Sequence, residues 1–507
     1  MESPVAQVAA QGDICNDSVL GTLVALGILF FMFMVFITLA GSADEVRVKD
    51  HSVLELDFPY PIQEHSGLDP EDPFSLFFDP AMGLDEITKA LAIARSDDRI
   101  TGISIKSPYL IAGMAQTKAL RDALLDFKES GKFVYAYADL YLQKDYESRG
   151  LAPESLDHIA DTLGGRHPEL ALKAGLVDGI AYLDVYEDKV LRESGGAGDH
   201  PEKISLQRYM RYSRNKRLHK GSDEIAVVYA QGEILYGEGG PNYIGQGQMI
   251  KALRSAREDD DVKAVVLRVN SPGGSALTSD IIWRELQLTR KEKPVVVSLS
   301  DMAASGGYYL AVGGDKILAE PSSITGSIGV FATVPNISGL SDKIGVNAEQ
   351  VGTHKFSMEY SFFEPMREDF REILKGSIEK TYDTFLQRVA DGRGIPVSKV
   401  DSLARGKVWS GTEALENGLV DRLGGMPEAL DLAAEMAGIS SYRLKSLPKY
   451  KSGLERLMDD LGGTQMGAEG WIEAELGVDW MQTFRELKNI LRQEGIQARL
   501  PFTLKIK

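Results

Sequence analysis

The feature that most restricts the fold of this 507-residue chain is an internal repeat. The stretch T-K-A-L-A-I-A-R at 88–95 returns as I-K-A-L-R-S-A-R at 250–257. Further along, A-L-K-A-G-L-V-D at 171–178 returns as A-L-E-N-G-L-V-D at 414–421. Because two separate blocks recur in the same order, we interpret most of the chain as two copies of one structural unit.

Within each copy, helical and strand patterns alternate. Helical periodicity covers 87–94 and 117–128 in the first copy. Short apolar runs typical of buried strands occur at 100–105 and 133–137, and again in the second copy at 262–269 and 294–299. Strands that alternate with helices in this way predict βαβ units and a largely parallel sheet. The fold class is therefore α/β.

The two copies are unequal in length. Their separation is about 162 residues up to Tyr146 but about 244 residues at Arg149, so the first copy lacks the equivalent of roughly 307–390. We expect a reduced, non-catalytic first copy over 84–200 and a complete, catalytic second copy over 201–440. The Pro-, Asp- and Phe-rich stretch 44–83 is predicted to be a linker, and 441–507 a C-terminal extension.

The N-terminal segment 1–43 contains an uncharged, apolar run at 19–40. About 20 such residues span a bilayer as a helix, so we predict one transmembrane anchor there. No Lys or Arg precedes the run, and the charge pattern therefore does not orient the anchor. The net charge of −18 argues against a nucleic-acid partner, and the single cysteine, Cys15, excludes an intrachain disulfide.

The stretch most informative about chemistry is 295–311, where V-V-V-S-L runs into S-D-M-A-A-S-G-G-Y-Y-L-A. Small residues on both sides of Ser305 allow a strand to turn sharply into a helix. Backbone N–H groups and the helix dipole at that turn favour developing negative charge. This pattern is typical of a nucleophile elbow, although an N-capping serine would produce a similar local pattern.

A glycine-rich turn, N-S-P-G-G-S at 270–275, follows the preceding strand. Gly273 and Gly274 leave backbone N–H groups open to a bound carbonyl, as an oxyanion hole requires. The turn lies at the carboxyl end of a parallel strand next to the Ser305 strand, where ligand sites form in α/β proteins. The two motifs together favour a catalytic site over two unrelated turns.

Three further motifs complete the pattern: I-T-G-S-I-G-V at 324–330, G-K-V-W-S-G at 406–411 and G-L-V-D at 418–421. In this order, the motifs resemble the signal peptide peptidase A family of the Clp protease/crotonase superfamily. The resemblance is strong over 224–438 and extends weakly back to about 84. It implies a Clp protease/crotonase-like tandem fold in a homo-oligomeric serine peptidase, anchored in the bacterial inner membrane with its catalytic domain periplasmic. Its partners would be peptide substrates, namely cleaved signal peptides, and no cofactor is expected.

Carried over by position, the resemblance assigns roles to five further residues. Ser305 corresponds to the nucleophile, and Ser327 to the serine that orients a catalytic lysine. The amides of the oxyanion hole and substrate site correspond to Gly273, Gly274 and Gly306.

The catalytic base is the least determined residue. A serine hydroxyl needs a base, and a lysine can serve if burial lowers its pKa. Gly352-Thr353-His354-Lys355 lies about 50 residues after the nucleophile, as the G-x-x-K segment does in short, single-copy members of the family. Long, tandem members take this lysine from the first copy, in the segment that is missing here. We therefore predict a Ser–Lys dyad of Ser305 and Lys355, with His354 as a second choice.

Two other readings stay open. The chain could be an inactive, membrane-bound scaffold of the same fold, because its first copy is reduced and lacks the lysine segment. Within the first copy, Leu142 or Gln143 stands in the place of Ser305, so we expect that half to be structural. It could also be a crotonase-type acyl-CoA enzyme. None of the seven histidines lies in a motif that supports a Ser–His–Asp triad. If the chain is a peptidase, we expect extended apolar peptides to bind as an added strand, and the tail 471–507 to serve packing or a subunit contact.

Overall fold

The computed structural model describes residues 46–67, 82–106, 110–138, 167–196, 201–214, 221–334, 336–345 and 363–450, the backbone of 496–499, and a few single positions between these ranges. The predicted membrane span 19–40 lies outside them, apart from Met32. Among the described residues, no helix has both the length and the apolar character needed to cross a bilayer.

In the described part of the chain the strands are β1 Ser52–Leu56, β2 Ile62–Gln63, β3 Met82–Gly83, β4 Ile100–Ile105, β5 Phe133–Ala136, β6 Lys203–Ser205, β7 Glu224–Gln231, β8 Glu233–Ile234, β9 Tyr243–Ile244, β10 Val262–Ser271, β11 Gly273–Ser275, β12 Val295–Ala304, β13 Lys316–Ala319, β14 Ile324–Gly326, β15 Phe331–Ala332, β16 Val408–Ser410, β17 Arg422–Leu423, β18 Arg443–Leu447 and β19 Ile496–Arg499. The helices are α1 Leu84–Arg95, α2 Met114–Lys128, α3 Pro168–Lys173, α4 Leu183–Ser194, α5 Leu206–Arg214, α6 Gln246–Glu258, α7 Ala276–Arg290, α8 Gly306–Ala311, α9 Ser338–Ile344, α10 Glu368–Arg393, α11 Val397–Leu403, α12 Gly411–Glu416 and α13 Met426–Ala437.

The first unit is built on a parallel sheet with the strand order β5-β4-β1-β6. Helices α1, α2 and α5 pack on the sheet through buried side chains that include Leu54, Ile87, Ile103 and Tyr209. The predicted strands and helices of this copy are present, and the parallel pairing confirms the prediction made from their alternation.

The borders of both units differ from those expected. Strand β1 falls within 44–83, the predicted linker, yet it lies in the middle of the first sheet and is almost completely buried. This part of 44–83 is therefore core and not linker. Strand β6 and helix α5 extend the first unit past residue 200, and β18 of the presumed C-terminal extension pairs with β7 in the second sheet. These short segments are held in the sheets by long-range strand pairing, which local composition does not reveal.

The second unit contains a larger sheet with the order β16-β14-β12-β10-β7-β18, and β13 also pairs with β12. Strand β12 pairs with β10 along one edge; its other edge is shared by β13 near its beginning and β14 near its end. Alternate side chains of β10, such as Val265 and Leu267, enter the core beneath α6, α7 and α8, while Val266 faces the side covered by α13. The end of β12 is therefore held between two neighbouring strand ends, those of β10 and β14.

One lysine contact recurs in both units and supports the repeat. Lys132 donates to the carbonyls of Ala94 and Asp97 at the end of α1. Lys293 makes the same two bonds to the equivalent carbonyls at the end of α6. Each lysine satisfies backbone acceptors that a helix end leaves open. The two copies thus share this structural detail as well as their sequence pattern.

Candidate active site

Ser305 lies at the turn from β12 into α8. Its backbone has φ +52° and ψ −112°, a conformation that costs energy for any residue with a side chain. The Ser305 N–H donates to the Gly326 carbonyl at 2.8 Å, and the Ser305 carbonyl accepts from the Tyr309 N–H at 2.8 Å. The predicted strand–turn–helix elbow is therefore present, and neighbouring strand and helix contacts hold its strained residue in place.

The Ser305 side chain is fully buried, and its Oγ donates to the Gly329 carbonyl at 3.3 Å. Helix α8 behind it is fixed by two tyrosines. The Tyr308 hydroxyl donates to the Leu419 carbonyl and the Tyr309 hydroxyl to Asp280, each at 2.6 Å. Burial raises the pKa of both phenols, which keeps them protonated as donors. Gly306, the first residue of α8, is also buried.

Ser327 lies directly beside Ser305 across two paired strands. Ala304 pairs with Gly326, so the next residue of each strand is one of the two serines. Ser327 is buried, has φ +47°, and its N–H donates to the Lys407 carbonyl at 2.7 Å. Two strained serines therefore end adjacent strands at one edge of the sheet.

The glycine turn meets the same edge from the other side. Ser271, the last residue of β10, pairs with Ala303 of β12, and helix α8 packs against β11. Gly273 and Gly274 have φ values of +98° and +152°, which are unfavourable for residues that carry a Cβ. The Gly273 N–H donates to the Ser271 hydroxyl at 3.1 Å. Both predicted oxyanion glycines therefore lie on β11, which directly follows β10, the neighbour of β12 in the sheet.

Gly274 gives a direct test of this turn. A Cβ at this position would lie only 2.0 Å from the Ile234 carbonyl oxygen. Ile234 is paired with Gly274 in the sheet, so its backbone cannot move far enough to relieve this clash. We expect Gly274→Ala to displace β11 and its amides, and to lower the kcat for peptide hydrolysis by roughly 10²–10³, the usual effect of losing an oxyanion donor. Gly376→Ala, at an open helical position, is the control and should leave kcat unchanged. Normal hydrolysis by Gly274→Ala would exclude β11 from the site.

The predicted base, Lys355, and the second choice, His354, lie outside the described residues. Among the described lysines, the pKa is lowered by burial at Lys89, Lys132 and Lys293. Each of the three donates to backbone carbonyls at the end of a helix, away from the serine edge. The described residues therefore do not offer one of these lysines as an alternative base.

A buried polar cluster joins the first unit to the strands that carry the site. Arg268 of β10 donates through Nε to Glu64 at 2.8 Å, and both side chains are about 3% exposed. The guanidinium also donates to the hydroxyls of Ser298 and Ser300 on β12. Gln116 of the first unit donates to Glu64 at 3.0 Å. Sequence analysis missed this cluster, although an arginine inside the apolar run V-V-L-R-V at 265–269 is a signal for a buried counterion.

The pKa values of two carboxylates in the cluster are shifted in opposite directions. Burial by itself would raise the pKa of Glu64, but the Arg268 charge and the hydrogen bonds from Ser300, Arg268 and Gln116 lower it. Burial raises the pKa of Asp301, and the Glu64 charge raises it further. Asp301 accepts from the N–H groups of Ala115 and Gln116 at the start of α2, at 2.7 and 3.3 Å. The first unit is thus bonded to β12 four residues before Ser305.

Comparison with known proteins places this geometry in a family. Residues 287–440, which include the elbow and Ser327, match the model of peptidase family S49. The chain is 28% identical to the chloroplastic serine protease SPPA of Arabidopsis thaliana, over 83% of this chain and 75% of that protein. It is 38% identical to Protease 4 of Haemophilus influenzae, over 56% of this chain and 47% of that protein, so it spans about half the length of that relative.

A shorter relative is covered more completely. The chain is 36% identical to a protein of Methanocaldococcus jannaschii that is named as a protease, MJ0651, over 44% of this chain and 73% of that protein. Identity of this level over most of a relative's length, together with the family match on the elbow, extends the resemblance beyond short motifs. The chain therefore belongs to peptidase family S49, the signal peptide peptidase A family of serine peptidases.

Proposed function

We propose that this chain is a membrane-anchored serine endopeptidase that hydrolyses extended apolar peptides, including residual signal peptides, through a dyad of Ser305 and Lys355. One observation carries the proposal: Ser305 is held in a strained conformation at the edge of the sheet where Ser327 and the Gly273–Gly274 turn also lie. Strain of this kind persists where the surrounding structure enforces it, and it concentrates at active sites.

In the proposed cycle, uncharged Lys355 takes the proton of Ser305 as Oγ attacks the peptide carbonyl. The tetrahedral oxyanion accepts hydrogen bonds from the glycine amides and displaces the Ser271 hydroxyl as the acceptor of the Gly273 N–H. Lys355 then gives its proton to the leaving amine, and the acyl group stays on Ser305. The lysine finally activates a water molecule, which hydrolyses the ester and regenerates the serine.

Ser327, one residue past the pair Ala304–Gly326, is assigned the role of orienting the base. An anchor at 19–40 would hold the catalytic unit at a membrane surface, and the family resemblance favours the periplasmic face of a bacterial inner membrane and a homo-oligomer. The cluster around Arg268 and Glu64 supports a structural role for the first unit.

Covalent labelling tests the nucleophile. The full-length protein in detergent, incubated for hours with a fluorophosphonate probe, is expected to be modified at Ser305 and to hydrolyse an apolar peptide but not an acyl thioester. Ser305→Ala should show neither labelling nor hydrolysis, whereas Ser377→Ala, on the exposed face of α10, should keep both. A folded wild-type protein that is neither labelled nor active would be a scaffold, and thioester turnover would favour the crotonase-type reading.

A further inference from the structure

Strand β12 contains a bulge just before the elbow. Its pairing with β10 is interrupted between two residue pairs, Val269 with Leu299 and Ser271 with Ala303. Asn270 of β10 therefore lies opposite the three residues 300–302 of β12. Bulges are rare between parallel strands, and they are frequent beside active sites, where they redirect a side chain. We call residues 300–302 the elbow bulge.

The Asn270 side chain takes the place of strand pairing at the elbow bulge. On the other edge of β12, pairing with β13 ends at Leu299 and pairing with β14 begins at Met302. In the described part of the chain, Ser300 and Asp301 therefore have no strand partner. Asn270 Oδ1 accepts from the Met302 N–H at 3.3 Å, and Asn270 Nδ2 donates to the Asp301 carboxylate at 3.3 Å. One carboxamide thus closes the bulge against β10.

The neighbours of Asn270 require a neutral amide. On one side is the Met302 N–H, which needs an acceptor. On the other side are two carboxylates, Asp301 and Glu64, and Nδ2 also lies 3.4 Å from Glu64 Oε1. Asparagine provides an acceptor and two donors without a charge, whereas an ionised aspartate provides acceptors only. The bonding at this position therefore depends on the amide itself and not only on the volume of the side chain.

The bond between Asn270 and Met302 lies at the same distance along the chain from both catalytic turns. Asn270 precedes Gly273 by three residues, and Met302 precedes Ser305 by three residues. A change in this bond would shift the two strand ends relative to each other. Asp301 extends the connection to the first unit, because its carboxylate also accepts from the backbone at the start of α2.

We infer that Asn270 is a positioning residue of the peptidase, whose carboxamide holds the elbow bulge against β10 and so aligns the Ser305 hydroxyl with the Gly273–Gly274 amides. This role rests on the proposed function for the identity of the reaction, but not for the hydrogen bonds themselves. Asn270 acts through the two strand ends and not through contact with the peptide. The first unit takes part in the same alignment, because Asp301 is bonded both to α2 and to Asn270.

Asn270→Ala tests the alignment through the separation of kcat from KM. We expect the variant to lower kcat for an apolar peptide about 10²-fold, since displacement of reacting groups by about 1 Å costs this much. Its KM should stay near the wild-type value, because no contact with the peptide is lost. The ratio of its kcat to that of the wild type should not vary with pH, since alanine does not titrate. The matched control is Asn417→Ala, at the residue that ends α12, which should keep both constants.

Asn270→Asp gives the position a pH dependence that a purely structural role would not predict. The charged groups around position 270 are Asp301 of β12, Glu64 of the first unit, and Arg268 on the same strand. At pH 9 the introduced carboxylate repels its two acidic neighbours and kcat should be low. One proton shared between the introduced carboxyl and Asp301 restores a hydrogen bond, and the like charges raise the pKa at which it binds. The kcat ratio of this variant to the wild type should therefore rise about tenfold from pH 9 to pH 6.

The exchange Asn270→Asp/Asp301→Asn reverses donor and acceptor. The introduced amide donates to the introduced carboxylate, its carbonyl still accepts from the start of α2, and the Met302 N–H keeps an acceptor. At pH 9 this double variant should therefore have a higher kcat than Asn270→Asp. A double variant that is no better than Asn270→Asp would overturn the hydrogen-bonded link.

Hydrogen exchange supplies a readout that needs no activity. In the full-length protein, the amides of 300–304 are expected to exchange faster in Asn270→Ala than in the wild type and in Asn417→Ala. Wild-type exchange and wild-type kcat in Asn270→Ala, or a kcat ratio of Asn270→Asp that does not change with pH, would overturn the inference. A wild-type protein that is not labelled at Ser305 by the fluorophosphonate rejects the peptidase proposal instead, and faster exchange in Asn270→Ala would still support the link, so the two failures are distinct.

Discussion

Ser305→Ala and Lys355→Met are each expected to reduce kcat for peptide hydrolysis by roughly 10⁴-fold or more, and the double variant is expected to be no worse than either single one. The reason is that nucleophile and base act as one unit. Once the hydroxyl is absent, a proton acceptor has nothing to activate; once the acceptor is absent, the hydroxyl is a weak nucleophile. The residual rate would come from substrate binding and the glycine amides alone.

The measurement is single-turnover cleavage of an apolar peptide by the four full-length proteins across a range of pH. In the wild type, kcat/KM should rise with pH through the titration of one group and then level, and this rise should be missing in Lys355→Met. Lys343→Met, an exposed lysine of α9, is the matched control and should keep both rate and pH profile. If the fold losses in kcat of the two single variants multiply in the double variant, Lys355 acts independently of Ser305. An unaffected Lys355→Met would remove Lys355 from the dyad.

The repeat and its alternating patterns were sufficient to predict a parallel α/β fold, because buried strands and amphipathic helices are local properties of the sequence. The proximity of the glycine turn to the Ser305 strand was also predictable. Each motif follows a strand, and neighbouring parallel strands end at one edge of the sheet. The family's base lies outside the described residues, so Lys355 stays a prediction.

What the sequence did not reveal depends on contacts between distant segments. Strand β1 is only five residues long in a Pro- and Asp-rich stretch, and its burial comes from pairing with β4 and β6. The tail strand β19 pairs with segments more than 150 residues away in the chain. Glu64 gave no local sign of its role, since its partner Arg268 belongs to the other unit. In each case the local sequence pattern favours no particular structure, and pairing with distant segments determines it.

The cluster between the two units leads to the largest expected effect on stability. Arg268→Met is expected to lower the free energy of unfolding by about 3–5 kcal/mol, because it leaves the Glu64 carboxylate buried without its counterion. Hydrogen bonds from Ser300 and Gln116 to Glu64 remain, but they cannot replace a charge. Since Arg268 also bonds both serines of β12, we expect loss of the cluster to loosen the contact between the first unit and the strand that leads to Ser305.

The pH dependence of this loss has a definite sign. In the wild type, the folded pKa of Glu64 lies below its ordinary value of 4.5, so its contribution is present above that pH and is lost as the pH falls through the folded pKa. Without Arg268, burial dominates and the folded pKa rises above the ordinary value. The penalty of the variant is then complete above the raised pKa and shrinks as the pH is lowered towards 4.5. The stability gap between Arg268→Met and the wild type should therefore narrow from pH 7 to pH 5.

Denaturant unfolding of the full-length protein in detergent, followed by tryptophan fluorescence, measures this gap. The double variant Glu64→Gln/Arg268→Met removes both charges, so it should lose less stability than Arg268→Met alone and show no narrowing with pH. Lys49→Met breaks an ion pair whose side chains are 69% and 50% exposed, and as a surface control it should change stability by about 1 kcal/mol at most. If Arg268→Met behaves like Lys49→Met, the Arg268–Glu64 pair does not hold the units together. A double variant as unstable as Arg268→Met would instead assign the loss to packing around the guanidinium and not to the stranded carboxylate.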